Sequence, residues 1–164
     1  RYVALTLHRP SNVDNEETLG RIVAALDEIQ GDLPIVFPVH PRTRRNLEGL
    51  EVGRRLRDLP NVRMIDPLGY LDFLHLMASS RVVLTDSGGI QEETTILRVP
   101  CLTLRENTER PVTIDVGTNQ LVGTRTEAIL QAYRHVTNGW RKDFDIPPLW
   151  DGKAAERIVD ILVE

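Results

Sequence analysis

Short apolar runs alternate with amphipathic segments from one end of the chain to the other. The runs are rich in β-branched and aliphatic residues, which is typical of buried strands. They predict six strands, at residues 2–7, 35–39, 62–65, 82–85, 101–104 and 120–122. Because a helical pattern fills the interval after almost every run, the strands are expected to pair in parallel through right-handed crossovers.

The intervals between the runs carry the period of an amphipathic helix. After the first strand, apolar residues recur at helical spacing from Leu19 to Ile29, behind an opening that contains Asp14 and Asn15, and Gly31 ends the pattern. Further helices are predicted at residues 43–50, 71–79, 89–97, 126–138 and 153–163. The expected fold class is therefore α/β, a doubly wound and mostly parallel sheet with helices on both faces, as in Rossmann-like domains.

Length and composition describe one globular domain, because 164 residues with 41% hydrophobic and 27% charged residues suit a single core. The apolar runs fall far short of the ~20 residues that cross a membrane, so a membrane protein is not expected. The net charge of −4 argues against nucleic acid as a partner. The single cysteine, Cys101, excludes an internal disulfide and favours the cytoplasm. Because the first residue is Arg1 and not methionine, we expect a piece of a longer chain.

Polar residues cluster directly after the predicted strands. Ligands of doubly wound sheets bind outside the carboxyl ends of the strands, so these positions are the first candidates for a functional site. They are His8 and Arg9 after the first strand, His40 after the second, Asp66 after the third, residues 86–89 after the fourth, and residues 105–110 after the fifth.

The stretch TDSGGIQEE, which includes the end of the fourth strand, is the most specific of these candidates. Ser87, Gly88 and Gly89 would bring backbone N–H groups to a helix N-terminus with no Cβ in the way, which favours a phosphate or pyrophosphate. The same letters fit a simple helix start, in which Ser87 caps the helix and Glu92 and Glu93 complement its dipole in the first turn. The acidic pair favours the first interpretation, because Glu93 can accept hydrogen bonds from both hydroxyls of a ribose.

His8 and Arg9 add a titratable group and a fixed cation to the same crevice. A lone histidine is more often structural, but this pair at a strand end suits a leaving phosphate or an anionic ligand. His40, which precedes Pro41, repeats the pattern after the second strand.

The polar segment RENTERP follows the fifth strand. Pro111 fits the first turn of a short helix that Thr108 or Glu109 would cap, and Arg110 is expected to project into the crevice. The alternative is a charged loop that is paired with itself. The sequence contains no metal-ligand spacing and no Walker, GxSxG or GxGxxG pattern, so neither a metal nor a nicotinamide cofactor is expected.

Five motifs in this order resemble the non-hydrolysing UDP-N-acetylglucosamine 2-epimerases, enzymes with the two-domain glycosyltransferase-B fold. The motifs are LTLHRPSNVDN at 5–15, FPVHP at 37–41, DPLGYLDFLHLM at 66–77, TDSGGIQEE at 85–93 and RENTERP at 105–111. They are similar to the C-terminal, nucleotide-binding domain, so the resemblance implies one UDP-binding domain over residues 1–164 and a missing N-terminal domain. It also implies a UDP-sugar substrate, no cofactor, and a homodimer in the full-length protein.

The resemblance assigns roles to individual positions. The glycine turn would hold the phosphates of UDP, Glu93 the ribose hydroxyls, Phe73 and its neighbours the uracil, and His8 with Arg110 the diphosphate side. His8 is then the catalytic candidate, and the substrate-binding candidates are Arg9, His40, Phe73, Ser87, Gly88, Gly89, Glu93, Thr108 and Arg110.

The family's reaction inverts C2 of the sugar by eliminating UDP and adding it back, so donors around the diphosphate would stabilise charge on the leaving oxygen. The carboxylates that move the C2 proton belong to the family's N-terminal domain, and the 164 residues alone are expected to bind nucleotide without turnover. Ser11 stands where bacterial members commonly have a glutamate, which puts activation by a second substrate molecule in doubt.

Three alternatives stay open at the level of sequence. They are a retaining glycosyltransferase of the same architecture, a hydrolysing UDP-N-acetylglucosamine 2-epimerase, and a non-catalytic nucleotide-binding module. The run from Gly88 to Glu93, together with the His8-Arg9 pair, favours the epimerase over the glycosyltransferase.

Overall fold

A six-stranded parallel sheet forms the centre of the computed structural model, which describes residues 1–139 and 143–163. The strands are β1 (Val3–Thr6), β2 (Ile35–Pro38), β3 (Val62–Ile65), β4 (Val82–Thr85), β5 (Cys101–Thr103) and β6 (Asn119–Leu121). The first and last residues of each strand lie within one residue of the predicted bounds. Every neighbouring pair is parallel, so the fold class predicted from the sequence is confirmed.

The strand order is β3-β2-β1-β4-β5-β6, and the winding direction reverses at the centre. β1 pairs with β2 on one side and with β4 on the other, in a register that sets Thr6 opposite Thr85. The crossovers after β1 and β4 therefore leave in opposite directions and open a crevice at the carboxyl ends of these two strands. This is the position where doubly wound sheets bind ligands.

The described part of the chain contains nine helices. They are α1 (Pro10–Val13), α2 (Glu16–Ile29), α3 (Pro41–Leu47), α4 (Glu51–Asp58), α5 (Tyr70–Ala78), α6 (Gly88–Leu97), α7 (Pro111–Asp115), α8 (Thr126–Thr137) and α9 (Ala154–Val163). Asn15 caps α2 by accepting the N–H of Thr18 at 2.8 Å, and Pro41 starts α3 two residues earlier than predicted.

Two helices, α1 and α4, were not predicted. α4 contains Gly53 and carries many arginines, which hides its short apolar stripe of Val52 and Leu56. The structure explains the glycine: a Cβ at position 53 would lie 2.0 Å from the carbonyl oxygen of Leu47. Gly53 thus permits α4 to pack directly against the end of α3.

The helices cover both faces of the sheet. α2 packs against α4 and α8 on one face, over a large core that includes Leu5, Leu26 and Phe37. α5 and α6 cover the other face over a smaller cluster that includes Met77 and Ile90. α9 has no buried residue. Among the described residues, none of the helices combines the length and the apolar character that a membrane crossing requires.

Candidate functional site

Asp86 joins the turns that follow the two central strands. It has no solvent exposure, and its carboxylate accepts the backbone N–H of His8 at 3.1 Å to each oxygen and that of Arg9 at 3.0 Å. Asn12 donates Nδ2 to the same carboxylate at 3.2 Å and to the carbonyl of Leu104 at 2.9 Å. These donors compensate a buried carboxylate for its lost hydration. Asp86 therefore fixes the turn after β1 to the turn after β4.

His8 lies between this buried carboxylate and the open side of the crevice. Its Nδ1 is 3.1 Å from Oδ1 of Asp86, and 36% of its side chain is exposed. The ring of His40 lies 6.1 Å away, measured between ring centroids. His40 is the N-cap residue of α3, where its Nδ1 accepts the N–H of Arg42 at 3.2 Å. The structure thus brings both predicted histidines to the same corner of the sheet.

Ser87, Gly88 and Gly89 form the corner between β4 and α6. Ser87 is the N-cap residue, but its side chain makes no capping hydrogen bond within the described chain. Its N–H donates to Oγ1 of Thr85 at 3.0 Å, and its carbonyl accepts Nε2 of Gln91 at 3.0 Å. Ser87 therefore occupies the N-cap position that the helix-start interpretation predicts, but a capping hydrogen bond from its side chain is not observed in the described chain.

The backbone conformation does not require glycine at positions 88 and 89. Neither residue has a positive φ, and both lie in the first turn of α6, where alanine also adopts the helical backbone. A Cβ added at Gly89 would meet no atom of the described chain within 4 Å. One at Gly88 would lie 3.7 Å from Oε2 of Glu109 and 3.9 Å from Nη2 of Arg9. The corner thus presents the N–H groups of the helix N-terminus beside the arginines of the crevice. No side chain at positions 88 and 89 covers these N–H groups.

The acidic residues of α6 lie in its second turn, and not in the first as expected. The helix begins at Gly88, so Glu92 and Glu93 are its fifth and sixth residues, and its first turn contains no acidic residue. Because the field of the helix acts mainly within the first turn, complementing the dipole does not explain this pair. Glu92 instead pairs with Arg110, whose Nε lies 2.7 Å from Oε1.

The loop after β5 places a carboxylate between two guanidinium groups. Arg105, whose side chain is only 12% exposed, donates to Glu109 at 2.7 and 2.9 Å. Nη2 of Arg9 lies 3.5 Å from Oε1 of the same glutamate. The hydrogen bonds from Arg105 are the main cause that lowers the pKa of Glu109 from 4.5 to about 2. The loop is therefore partly paired with itself, and it is also tied to the turn after β1.

The expected cap of α7 is corrected by the structure. Arg110 itself is the N-cap residue, and Thr108 accepts the N–H of Arg110 on Oγ1 at 2.9 Å from outside the helix. Neither Thr108 nor Glu109 is therefore the cap, whereas Pro111 occupies the first turn as predicted. The guanidinium of Arg110 is paired with Glu92, so its charge is already balanced by a carboxylate of α6.

We expect the contribution of Glu109 to stability to depend on pH. Its pKa is lowered in the folded chain, so the contribution is present above the ordinary value of 4.5 and is lost as pH falls from there through about 2. Glu109→Gln should therefore lower the melting temperature most near neutral pH, and the difference from wild type should vanish toward pH 2. Thermal unfolding at several pH values tests this, with Glu127→Gln on the exposed side of α8 as the control. A difference that is constant with pH would contradict the ion pairs.

A buried polar network connects this loop to the glycine corner. Asn119, which has no solvent exposure, accepts the hydroxyl of Thr103 at 2.6 Å and donates to Oε1 of Gln91 at 3.0 Å. Thr108 donates to the same Oε1 at 2.6 Å. Because Gln91 also donates to the carbonyl of Ser87, one side chain holds both the corner and the loop. Sequence reasoning missed Gln91 and Asn119, since a buried amide leaves no pattern of its own.

Glu93 lines a cavity of about 330 Å³ beside α5 and α6. Tyr70, which is 65% exposed, and Trp150 line the same cavity. Burial, followed by the charge of Glu92, raises the pKa of Glu93. Phe73 packs against the smaller core cluster. Tyr70 and Trp150, which sequence reasoning did not single out, are therefore the aromatic residues in the wall beside Glu93, and a contact of Phe73 with a base stays a prediction.

Asp86 is the residue of this site that sequence reasoning left without a role. It follows four buried strand residues in the structure, but an acidic residue at a strand end gives no sequence signal of burial, because Asp is almost never fully buried unless it is paired. Residues 1–139 and 143–163 contain no group of three or more His, Cys, Asp or Glu side chains arranged to hold a metal ion. The groups offered to an anionic ligand are backbone N–H groups, two histidines and three arginines: Arg9, Arg105 and Arg110.

This arrangement, a glycine corner and cationic side chains at the switch point of a 3-2-1-4-5-6 sheet, defines a Rossmann-like domain. Residues 1–163 match the family model described as UDP-N-acetylglucosamine 2-epimerase. The chain belongs to the UDP-N-acetylglucosamine 2-epimerase family, which confirms the resemblance of its motifs.

Known relatives are similar to this chain over almost its entire length. The UDP-N-acetylglucosamine 2-epimerase of Methanocaldococcus jannaschii is 45% identical over 166 residues, which cover 98% of this chain and 44% of that protein. The UDP-2,3-diacetamido-2,3-dideoxy-D-glucuronate 2-epimerase of Pseudomonas aeruginosa is 39% identical over 164 residues, which cover 99% of this chain and 44% of that protein. The chain thus spans less than half the length of these relatives.

A solved structure extends the similarity to three dimensions. The crystal structure of the Methanocaldococcus jannaschii UDP-GlcNAc 2-epimerase in complex with UDP-GlcNAc and UDP matches with a TM-score of 0.90 at 46% sequence identity. The match covers 99% of this chain and 45% of that chain.

Proposed function

We propose that this chain is the UDP-binding half, in the C-terminal position, of an enzyme that epimerises UDP-N-acetylglucosamine at C2 by eliminating UDP and adding it back. The observation that carries the proposal is the glycine corner at the start of α6, which lies beside His8 and Arg9 at the switch point of the sheet. In this proposal residues 1–164 act as one nucleotide-binding domain, and a redox cofactor has no part in the reaction.

The diphosphate is placed at the start of α6. The N–H groups of the first helical turn have no intrahelical partner, and the helix dipole gives this end a partial positive charge. Gly89 supports the placement, because a Cβ there would project into empty space and glycine weakens the helix. The fold itself would accept a side chain at position 89. A phosphate that comes close to the backbone would not, and this explains the glycine.

The cationic groups of the crevice are placed around the leaving phosphate. Arg9 and Arg110 are paired with Glu109 and Glu92 through partly exposed side chains, and such pairs exchange partners at low cost. When the bond to the sugar breaks, negative charge grows on the diphosphate, and cations and N–H donors held near it stabilise that transition state. His8 has the catalytic role because Asp86 holds its ring at the crevice.

The nucleoside is placed in the cavity that Glu93 lines. A ribose offers two hydroxyl donors, and a carboxylate that is partly withdrawn from water binds them more strongly than an exposed one. Burial, followed by the charge of Glu92, raises the pKa of Glu93, and hydrogen bonds from ribose hydroxyls would stabilise its ionised form. Tyr70, Phe73 and Trp150 are the aromatic candidates for the uracil.

The remaining chemistry is assigned to parts outside this chain. The groups that remove and return the C2 proton are placed in an N-terminal domain, so the chain by itself binds UDP without turnover. The full-length protein is proposed to be a homodimer. A cytoplasmic location suits the single buried thiol of Cys101, which has no partner for a disulfide within the chain.

A second candidate differs only in the sugar. The relative from Pseudomonas aeruginosa is named for UDP-2,3-diacetamido-2,3-dideoxy-D-glucuronate and is 39% identical to this chain, so a UDP-sugar with other substituents is the second candidate substrate. Full-length enzyme that contains this chain, incubated with each UDP-sugar in heavy water, would separate the candidates. Deuterium at C2 of UDP-N-acetylglucosamine supports the first candidate, whereas free sugar or transfer to an acceptor indicates a hydrolase or a glycosyltransferase.

The nucleotide site is tested by titrating the chain with UDP and with ADP. Amide NMR signals of residues 87–93 should shift with UDP at concentrations at which ADP has little effect, because the proposal assigns the cavity beside Glu93 to uridine. If UDP shifts none of these signals, the placement of the diphosphate is wrong.

Glu93→Ala should weaken UDP binding by roughly 10- to 100-fold, because the loss of a charge-assisted hydrogen-bond acceptor costs about 1.5–3 kcal/mol. Inorganic pyrophosphate has no ribose, so its affinity should change little. Calorimetric titration of both ligands measures the two effects. Glu127→Ala on α8 is the control and should leave both affinities unchanged. Equal losses for UDP and pyrophosphate would contradict the role of Glu93.

A further inference from the structure

Asp86 constrains more than the position of His8. All the hydrogen bonds that its carboxylate receives come from N–H donors: the backbone of His8 and Arg9, and Nδ2 of Asn12. Nδ1 of His8 lies 3.1 Å from Oδ1, and because an ionised carboxylate can only accept, a proton on this nitrogen is the arrangement that avoids repulsion between two lone pairs. In neutral His8 this proton is on Nδ1, and Nε2 is left with a lone pair.

His40 is held in the opposite tautomer. Its Nδ1 accepts the N–H of Arg42 at 3.2 Å, so in the neutral ring the proton is on Nε2. The two rings, 6.1 Å apart, therefore differ in what they offer to a ligand. His40 offers an N–H donor, whereas neutral His8 offers an acceptor, which repels a phosphate oxygen.

We propose that Asp86 is a positioning residue that holds one proton on Nδ1 of His8, so that Nε2 receives a second proton when a diphosphate enters the crevice as proposed above. The proton comes from solvent, and no bond other than N–H is formed. The bound state then has alternating charges: the buried carboxylate, the imidazolium and the phosphate. Without the second proton, the negative charge of Asp86 and the lone pair of His8 would both oppose the anion.

The other charged groups around His8 do not supply the positive charge that this second proton would bring. His40 faces it from the turn after β2, and Arg9 follows it on the turn after β1 with its guanidinium 3.5 Å from Glu109. The negative charge of Glu109 offsets the cation of Arg9 before ligand arrives. Asp86 is the carboxylate in contact with the His8 ring itself.

The first test needs no ligand. Imidazole ¹⁵N NMR of the chain should show His8 with its proton on Nδ1 and His40 with its proton on Nε2. In Asp86→Asn, the carboxamide has the same shape but can donate to Nδ1, so the His8 proton should move to Nε2 while His40 is unchanged. A His8 ring with unprotonated Nδ1 in wild type, or an unchanged tautomer in folded Asp86→Asn, would overturn the proposal.

The second test counts protons on binding and does not depend on the folding of Asp86→Asn. UDP-N-acetylglucosamine is the probe, because its doubly esterified diphosphate does not titrate near neutral pH. Calorimetry in buffers of different ionisation enthalpy should show uptake of a fraction of a proton per ligand by wild type. His8→Gln, which keeps a side-chain donor, should take up none, and His75→Gln on α5 should behave as wild type.

The outcomes separate the two proposals. Binding with no proton uptake overturns the role of Asp86 and leaves the nucleotide site intact. Absence of binding of both UDP and UDP-N-acetylglucosamine overturns the proposed function, and the tautomer measurement then decides the role of Asp86 alone.

Discussion

Gly89→Ala is expected to weaken UDP binding by roughly tenfold or more, about 1.4 kcal/mol, without destabilising the chain. The added Cβ would meet no atom of the described chain within 4 Å, and the φ of Gly89 is not positive, so the fold accepts the methyl group. Alanine favours a helix over glycine by up to about 1 kcal/mol, which should keep or raise the melting temperature. The space that the methyl group fills is the space assigned to the diphosphate.

In Gly89→Ala, UDP affinity should fall while the melting temperature is kept or raised. Calorimetric titration with UDP and thermal unfolding measure the two quantities on the same samples. Gly20→Ala is a matched control, since Gly20 also lies in a helix and a Cβ there would meet nothing within 4 Å. It should raise stability by up to about 1 kcal/mol and leave UDP affinity unchanged. Undiminished affinity in Gly89→Ala would show that no ligand approaches this corner.

Gly53→Ala is expected to destabilise the chain by about 1–3 kcal/mol, the usual cost of overpacking. The Cβ would lie 2.0 Å from the carbonyl oxygen of Leu47 and 2.8 Å from its carbonyl carbon. Both atoms are backbone, so a side-chain rotation cannot relieve the contact, and α4 must move away from α3. Urea unfolding should show a lower midpoint with little change in slope.

The same substitution in two helices should therefore have opposite effects. Gly20→Ala and Gly53→Ala both remove a helical glycine, but only the second brings a Cβ against backbone. A stabilised Gly53→Ala would mean that α4 does not pack against Leu47 as described. UDP affinity of Gly53→Ala, measured well below its melting temperature, should match wild type, because α4 lies away from the crevice.

The structure shows which charged side chains of the site are paired with each other. Arg110 is paired with Glu92, and Glu109 lies between Arg105 and Arg9. These pairs keep cations at the mouth of the crevice while balancing their charge before ligand arrives. In the proposed function a diphosphate would compete with these carboxylates for the arginines, which would favour ligands of high negative charge over single phosphates.

Much of the fold and part of the candidate site could be predicted from the amino-acid sequence. The alternation of apolar runs and helical periods gave six strands in place, because strand and helix periods are local properties of the chain. The position of His8, Arg9 and the glycine corner at strand ends followed from the rule for doubly wound sheets. α4 escaped prediction because its glycine is explained only by contact with Leu47, which no local pattern records.

The amino-acid sequence determined the six strands, most of the helices, the fold class and the family, since these depend on short-range periods and on motifs that can be compared directly. The tertiary structure decided which side chains meet. Asp86 binds the N–H of a residue 78 positions earlier, and Thr108 reaches Gln91 across 17 positions. Such pairs depend on the register of parallel strands and on the exact rotation of each helix. They arise from packing between elements, and each element can have the same local pattern with different partners.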